Sequence, residues 1–233
     1  MELSKRLQAV ADLVTPGLTL ADVGCDHGYI PIYLTEKGIC PHVIAMDVNE
    51  GPLLRAKEHI LQHQPPLPIE LRLSDGLKAL EMMAVQSVTI AGMGGGLIIK
   101  ILKDSPQIVC DLEECILQPQ SELYKVRAFL IQEGFSVMEE DMVLEDGKFY
   151  PMMKVTLPGK RQNEIWNDCE LQYGKLLLKK RHPVLHTYLK KEKALKEQVL
   201  AAISEKEGAH IVKRRRELQA ELKLISEALA YYE

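Results

Sequence analysis

Two features are scarce in this 233-residue sequence, and each scarcity excludes a class of protein. Its five cysteines are odd in number and include no C-x-x-C pair, which argues against a disulfide framework and a zinc site. No secretory leader opens the chain, and no apolar run approaches the roughly 18 residues of a membrane-spanning helix. We therefore expect free thiols, no bound metal and a cytoplasmic location.

Charge is divided unevenly along the chain. Residues 1–157 carry 13 Lys and Arg against 22 Asp and Glu, whereas residues 158–233 carry 16 against 11. The length, with 46% apolar residues, suffices for one domain-sized core plus an appendage. We predict a domain over residues 1–158 and a basic helical domain over 159–233, which would meet any polyanionic partner.

The stretch 18–28 is typical of an apolar strand that ends in a glycine-bearing turn, with a helix following at once. Such turns bind cofactors in α/β proteins, because Gly24 and Gly28 let a ligand lie close to the backbone. Asp22 stands two residues before the first glycine. A carboxylate there suits the ammonium group of S-adenosylmethionine and is of no use to the pyrophosphate of NAD.

Two further acids stand where later strands end. Asp47 closes a second predicted strand and can accept both ribose hydroxyls, with Val48 beside it. Asp75, in Ser74-Asp75-Gly76 after a third strand, can accept the exocyclic amine of adenine. The alternative for Asp75 is a structural turn, since Ser-Asp-Gly turns are common. With the glycine-rich loop after the fourth strand, the predicted cofactor-binding residues are Asp22, Gly24, Asp26, Gly28, Asp47, Val48, Asp75, Gly76, Ala91, Gly92 and Met93.

The rest of the chain completes the predicted fold. A fifth strand ends at Gln118, whose amide we expect to read a base edge, and two runs around an Asp-Gly turn predict a terminal β-hairpin. This order predicts an α/β fold: a Rossmann-like, seven-stranded class I methyltransferase sheet followed by an α-helical coiled-coil tail. In the tail we predict a helix to about Arg181, a break at His182-Pro183, and an antiparallel helical hairpin whose apolar spacing is set by Leu185, Tyr188, Leu195, Val199 and Ala202 and by Leu218, Leu222, Ile225 and Leu229.

Basic residues cluster on this predicted hairpin. A solvated coiled-coil face is one interpretation, but beside an acidic body we favour contact with RNA phosphates. Near the N-terminus, Lys5 and Arg6 are either solvated or in reach of a cofactor carboxylate or an RNA phosphate. The predicted substrate-binding residues are Gln118, Lys190, Lys191, Lys193, Lys213, Arg214 and Arg215.

The motifs together resemble a known family. They are Leu3-Ser4-Lys5-Arg6-Leu7, Asp22-Val-Gly-Cys-Asp26-His27-Gly-Tyr29-Ile-Pro31, Asp47-Val-Asn, Ser74-Asp75-Gly76, Ala91-Gly-Met-Gly-Gly95 and Leu117-Gln-Pro119, and they look like the bacterial tRNA (adenine-N1)-methyltransferases called TrmK. The resemblance implies methylation of N1 of adenine 22 in the tRNA D-arm, with S-adenosylmethionine as the donor and tRNA as the partner. One position departs from the usual methyltransferase turn, because Asp26 replaces the middle glycine.

For catalysis we predict that Asp26 accepts a hydrogen bond from the adenine N6 amine while His27 and Tyr29 shape the base pocket. A turn histidine with only a structural role is the alternative for His27. Enzymes that methylate N6 resemble one another in an Asp/Asn-Pro-Pro-aromatic loop, which the loop starting at Ala91 lacks. A small-molecule methyltransferase and a tRNA-binding protein with a vestigial cofactor pocket remain the rival functions, and we expect a monomer.

Overall fold

A single seven-stranded sheet forms the centre of the larger part of the protein, in the computed structural model that describes residues 1–157, 165–204 and 206–233. The strands run in the order β3-β2-β1-β4-β5-β7-β6. The first five pair in parallel, whereas β7 is antiparallel to both β5 and β6. Their bounds are β1 (Leu20–Val23), β2 (Val43–Asp47), β3 (Ile69–Leu73), β4 (Ser87–Met93), β5 (Glu114–Pro119), β6 (Ser136–Glu145) and β7 (Lys148–Thr156).

Six helices precede or follow the strands of the sheet along the described part of this unit. They are α1 (Lys5–Asp12), α2 (Tyr29–Glu36), α3 (Glu50–Ile60), α4 (Gly95–Asp104), α5 (Pro106–Asp111) and α6 (Leu123–Gln132). The predicted sheet and terminal hairpin are confirmed, and α5 is an element that the sequence reading missed. The order reverses beside β1, and cofactors bind at such switch points in open α/β sheets.

Side chains of the central strands alternate between two apolar cores. In β1, Leu20 packs with residues of α1 and α2, whereas Ala21 and Val23 pack with residues of α4 and α6. This alternation follows from the two-residue period of a strand. Helices therefore cover both faces, and the carboxyl ends of the parallel strands are left as the edge where a ligand can be bound.

The chain divides into two compact units, Met1–Ile165 and Trp166–Glu233. The boundary that we predicted, between residues 158 and 159, lies outside the described residues. In the second unit the helices are α7 (Asp168–Tyr173), α8 (Lys175–Lys179), α9 (Pro183–Ala202) and α10 (Ala209–Leu229), followed by a 3₁₀ turn at Ala230–Tyr232. None of the helices in the described parts of the chain is long and apolar enough to cross a membrane.

The second unit corrects two details of the prediction. The expected helix up to Arg181 is interrupted at Gly174, where a φ of 94° leaves the helical region. Helices α9 and α10 do fold back on each other, since the Tyr232 hydroxyl donates to the His182 carbonyl at 2.9 Å. However, Leu195 and Val199 are 52% and 37% exposed, so the predicted apolar seam is not buried at that level.

Candidate active site

The turn after β1 has the backbone conformation that its glycines suggested. Gly24 and Gly28 adopt φ angles of 77° and 72°, and Asp26, between them, adopts 43°. The amides of Gly24 and Cys25 both donate to the Met46 carbonyl, at 2.8 and 3.0 Å. The turn is therefore fastened to the end of β2, and α2 begins directly after it with Gly28 as its N-cap.

Two adjoining cavities lie at this edge of the sheet, and Gly24 lines both. The larger has a volume of ≈ 290 Å³ and is lined by Arg6, Leu7, Asp22, Gly24, Cys25, Asp26, His27, Tyr29, Ile30, Ala91, Gly92 and Gln120. The smaller has a volume of ≈ 110 Å³ and is lined by Val23, Gly24, Asp47, Val48, Ser74, Asp75, Gly76, Met93, Leu97 and Ile101. The structure thus brings the three strand-end acids to one rim, and of the predicted cofactor-binding residues only Gly28 is outside these two linings.

Met93 lines the smaller cavity and lies next to Gly24, the residue that both cavities share. A Cβ built on Gly24 would approach Met93 Cε to 2.3 Å, far inside van der Waals contact. Gly24 therefore has to be glycine unless the methionine side chain moves. The lining of the smaller cavity combines apolar Met93, Leu97 and Ile101 with two carboxylates, a composition that suits a partly polar group.

The three acids differ in electrostatic environment. Burial raises the pKa of Asp22 to about 7, the Thr89 hydroxyl on β4 opposes this rise, and the charge of Asp47 adds to it. Asp75 is half-exposed, and its ion pair with Lys78 holds the pKa of that carboxyl below its usual range. Because a buried carboxylate gains most from a cationic partner, Asp22 is the acid best placed to bind an ammonium group.

Arg6 brings a positive charge to the larger cavity. Its Nη1 donates to Gln118 Oε1 at 3.1 Å, and its guanidinium lies 5.6 Å from the centre of the Tyr150 ring. Of the two basic residues considered at the N-terminus, Arg6 is therefore the one at the site. A carboxylate next to Asp22 would find its counter-ion there.

Three aromatic rings form a cluster beside the larger cavity. The centroids of His27, Tyr29 and His59 are 5.3 to 5.6 Å apart, and their planes lie within 18° of parallel. Arg55 Nη2 donates to Asp26 Oδ1 at 2.8 Å. The sequence reading identified the turn residues but missed Arg55 and His59, whose only signal was their position on the helix that follows β2.

Known methyltransferases are similar to this chain in sequence. A family model described as a methyltransferase domain matches residues 3–153. A Bacillus subtilis tRNA (adenine(22)-N(1))-methyltransferase is 35% identical over 153 residues, which cover 66% of this chain and 64% of that relative. The match thus spans just under two thirds of the relative's length.

Solved structures match over almost the whole chain. A Streptococcus pneumoniae protein described as a putative tRNA (m1A22) methyltransferase, in complex with S-adenosyl-L-methionine, is 34% identical with a TM-score of 0.86, covering 98% of this chain and 100% of that one. The B. subtilis M1A22 tRNA methyltransferase TrmK is 29% identical with a TM-score of 0.85, covering 98% and 99%. The chain belongs to the TrmK family of methyltransferases.

Gln118 is placed differently from our expectation for this TrmK-family chain. Its side chain is fully buried, and its oxygen accepts from Arg6 and from the Gly92 amide, each at 3.1 Å. A buried amide held in this way cannot meet a base edge, so the prediction of base contact is wrong in its geometry. Gln120, two residues on, lines the larger cavity instead.

The basic residues assigned to RNA lie on α9 and α10 of the TrmK-family tail. Arg214 is paired with Glu217 at 3.0 Å and with Glu221 at 3.4 Å, and Arg215 donates to the Lys206 carbonyl at 2.6 Å. Lys193 lies 3.9 Å from Glu197. The exposed Lys190 and Lys213 complete the cluster together with Lys191. Arg214 and Arg215 would have to exchange these contacts for a phosphate.

Proposed function

We propose that this chain transfers a methyl group from S-adenosylmethionine to N1 of adenine 22 in the D-arm of tRNA. The observation that carries the proposal is the convergence of Asp22, Asp47 and Asp75 on two adjoining cavities that share Gly24. The named activities of the B. subtilis and S. pneumoniae relatives supply the substrate.

The residues at the site suit this cofactor part by part. Asp22 and Arg6 would hold the ammonium and carboxylate of the amino-acid group. Asp47, whose Oδ1 already accepts from the Asn49 amide at 2.9 Å, would hold the ribose. The smaller cavity would take adenine between Met93 and the polar atoms around Asp75. When bound, S-adenosylmethionine supplies an electrophilic methyl group on a sulfonium.

The proposed reaction requires little acid–base catalysis by the protein. Neutral adenine carries a lone pair at N1, so no proton has to be removed before attack, and catalysis can consist mainly of positioning. Positive charge then develops on the base. A carboxylate at the cavity mouth that accepts from the N6 amine would stabilise this charge, and we assign that role to Asp26, with His27 and Tyr29 as the walls of the base pocket.

The tail is proposed to contact tRNA phosphates through Lys190, Lys191, Lys193 and Lys213, with Arg214 and Arg215 joining when their present partners are exchanged. Because phosphate contacts release counterions, tRNA binding should weaken as salt increases. Changing Lys190 and Lys213 together to Glu should weaken tRNA binding and leave cofactor affinity unchanged. We further propose that the enzyme acts in the cytoplasm as a monomer.

The deciding experiment maps the methylated nucleotide. Unmodified tRNA transcripts are incubated with the protein and labelled S-adenosylmethionine, and the product nucleoside and its position are identified. We expect 1-methyladenosine at position 22 and no label on a transcript with guanine there. Label on N6, at another nucleotide, or only on a small molecule would refute the proposal. The Asp47→Ala protein is the matched control, since it should bind tRNA without transferring label.

A further inference from the structure

One face of α3 is packed against the turn that carries the predicted base pocket. Three residues of the helix touch three of the turn: Arg55, Ala56 and His59 contact Asp26, Gly28 and His27. A Cβ built on Gly28 would come within 3.1 Å of the Ala56 Cβ, so the helix and the turn are in close contact. The position of the turn therefore depends on side chains that lie about 30 residues further along the chain.

The contact made by His59 is a directed hydrogen bond. Its Nδ1 lies 2.9 Å from the carbonyl oxygen of His27. Because a carbonyl oxygen can only accept, Nδ1 must carry the hydrogen, which leaves Nε2 as the bare nitrogen of the neutral ring. This bond joins the helix directly to the backbone of the residue that we place in the wall of the base pocket.

The His27 ring has little else to orient it. Its Nδ1 is shielded from solvent and has no hydrogen-bond partner within the part of the chain that the structure describes, and its Nε2 lies 3.6 Å from Asp26 Oδ2. The ring otherwise depends on its near-parallel neighbours, Tyr29 and His59. His59 therefore makes two contacts with His27: a hydrogen bond to its backbone carbonyl and a near-parallel contact with its ring.

Exposure to solvent separates His59 from Arg55. The Arg55–Asp26 pair is about half exposed on both sides, and solvent screens ion pairs of this kind so that they contribute little. The His59 bond is partly buried, so its removal leaves the His27 carbonyl with only limited access to water as a replacement partner. His59 is therefore the stronger of the two restraints on the turn.

We propose that His59 is a positioning residue for methyl transfer, which fixes the His27 backbone and ring so that the target adenine is held in line with the methyl donor. The inference rests on the proposed function and assigns to α3 a role in the reaction. His59 touches neither the base nor the cofactor in this account. Its effect should appear in the rate of transfer and leave cofactor binding unchanged, since it lines neither cavity.

Three substitutions separate the hydrogen bond from the ring. His59→Asn keeps a donor near the position of Nδ1, His59→Phe keeps a ring without the donor, and His59→Ala removes both. We expect kcat to fall roughly tenfold to a hundredfold in His59→Phe and His59→Ala and to recover to within about threefold of wild type in His59→Asn. The affinity for S-adenosylmethionine, measured by calorimetry, should change less than about twofold in all three. Glu58→Gln, on an exposed part of the same helix, is the control and should behave as wild type.

Two results would overturn the inference. Wild-type kcat in His59→Phe would show that the bond does not matter, and a loss of cofactor affinity parallel to the loss of kcat would show a merely structural role. A second measurement does not depend on enzyme activity. ¹⁵N spectra of the wild-type protein at pH 8 should show the hydrogen of the His59 ring on Nδ1. A neutral ring with its hydrogen on Nε2 would refute the hydrogen bond to the His27 carbonyl. If the wild type methylates no tRNA adenine, the proposed function fails, and these spectra still test the bond.

Discussion

The raised pKa of Asp22 predicts a pH-dependent affinity for the cofactor. An ammonium group is bound by the carboxylate and not by the neutral acid, and burial raises the pKa of Asp22 to about 7. A carboxyl with this pKa is about nine-tenths ionised at pH 8 and about one-tenth at pH 6. We therefore expect the dissociation constant of S-adenosylmethionine to rise between pH 8 and pH 6 by at most about tenfold, or about 1.4 kcal/mol, because the amino group of the ligand is itself partly deprotonated at pH 8.

Calorimetry at pH 6, 7 and 8 measures this dependence, and comparing buffers of different ionisation enthalpy counts the protons released. At pH 7 binding should release at most about half a proton, because half of the Asp22 carboxyls must first ionise. Methylthioadenosine lacks the amino-acid group and should bind equally well at every pH. Equal slopes for both ligands, or a constant affinity of the wild type for S-adenosylmethionine, would refute the assignment of Asp22 to the ammonium group.

The raised pKa of Asp22 also predicts that the protein without cofactor becomes less stable as pH rises. Between about pH 4 and pH 7 the native protein holds a proton on Asp22 that the unfolded chain has released, so this contribution to stability is lost as pH rises through 7. Asp22→Asn should therefore unfold at a higher urea concentration than wild type at pH 8. Its free energy of unfolding should be higher by roughly 4 kcal/mol at most. A variant that gains stability while losing the cofactor would indicate that the buried acid is kept for binding.

Three further outcomes are expected from urea unfolding. Gly28→Ala should cost more than Gly38→Ala, since both have positive φ, but a Cβ meets Ala56 at 3.1 Å only in the first. Burial raises the pKa of Glu114, but its hydrogen bonds outweigh this effect and hold the pKa below 4.5. The carboxylate therefore stabilises the fold above that pH, and this stabilisation is lost as pH falls. Glu114→Gln should remove the same stabilisation at neutral pH. Arg127→Met should cost about 3 to 5 kcal/mol by leaving Glu140 buried without its 2.8 Å partner, and adding Glu140→Leu should restore part of it.

Much of the candidate site could be predicted because it depends on short-range order. In a parallel sheet the carboxyl ends of the strands share one edge, so acids that follow successive strands must converge. Asp22, Asp47 and Asp75 do so, and the turn glycines have the positive φ that their spacing suggested. These features need only the period of a strand and the chemistry of a turn.

Other features depend on contacts that no local pattern contains. His59 on α3 reaches His27 in the turn after β1, across 32 residues of sequence. Gln118 lies near the end of β5 as predicted, but the whole of this strand is buried, and the Gln118 side-chain oxygen accepts from Arg6 and from the Gly92 amide. At the distal end of α9, spacing suggested burial for Leu195, yet the hairpin leaves it exposed. Spacing selects a helix face and does not say whether another element covers it.

Asp26 has a left-handed backbone conformation, lines the larger cavity and contacts Arg55 on α3. Glycine at this position would hold a φ of 43° without strain, whereas aspartate accepts some cost, since a non-glycine residue in the left-handed region is destabilised by about 1 kcal/mol. In exchange the turn gains a carboxylate at the cavity mouth and a partner for Arg55 on α3. Because an exposed ion pair contributes no more than the strain costs, stability alone does not explain the aspartate. The strain is compatible with the role that we propose for Asp26 at the cavity, where the target base would develop its positive charge.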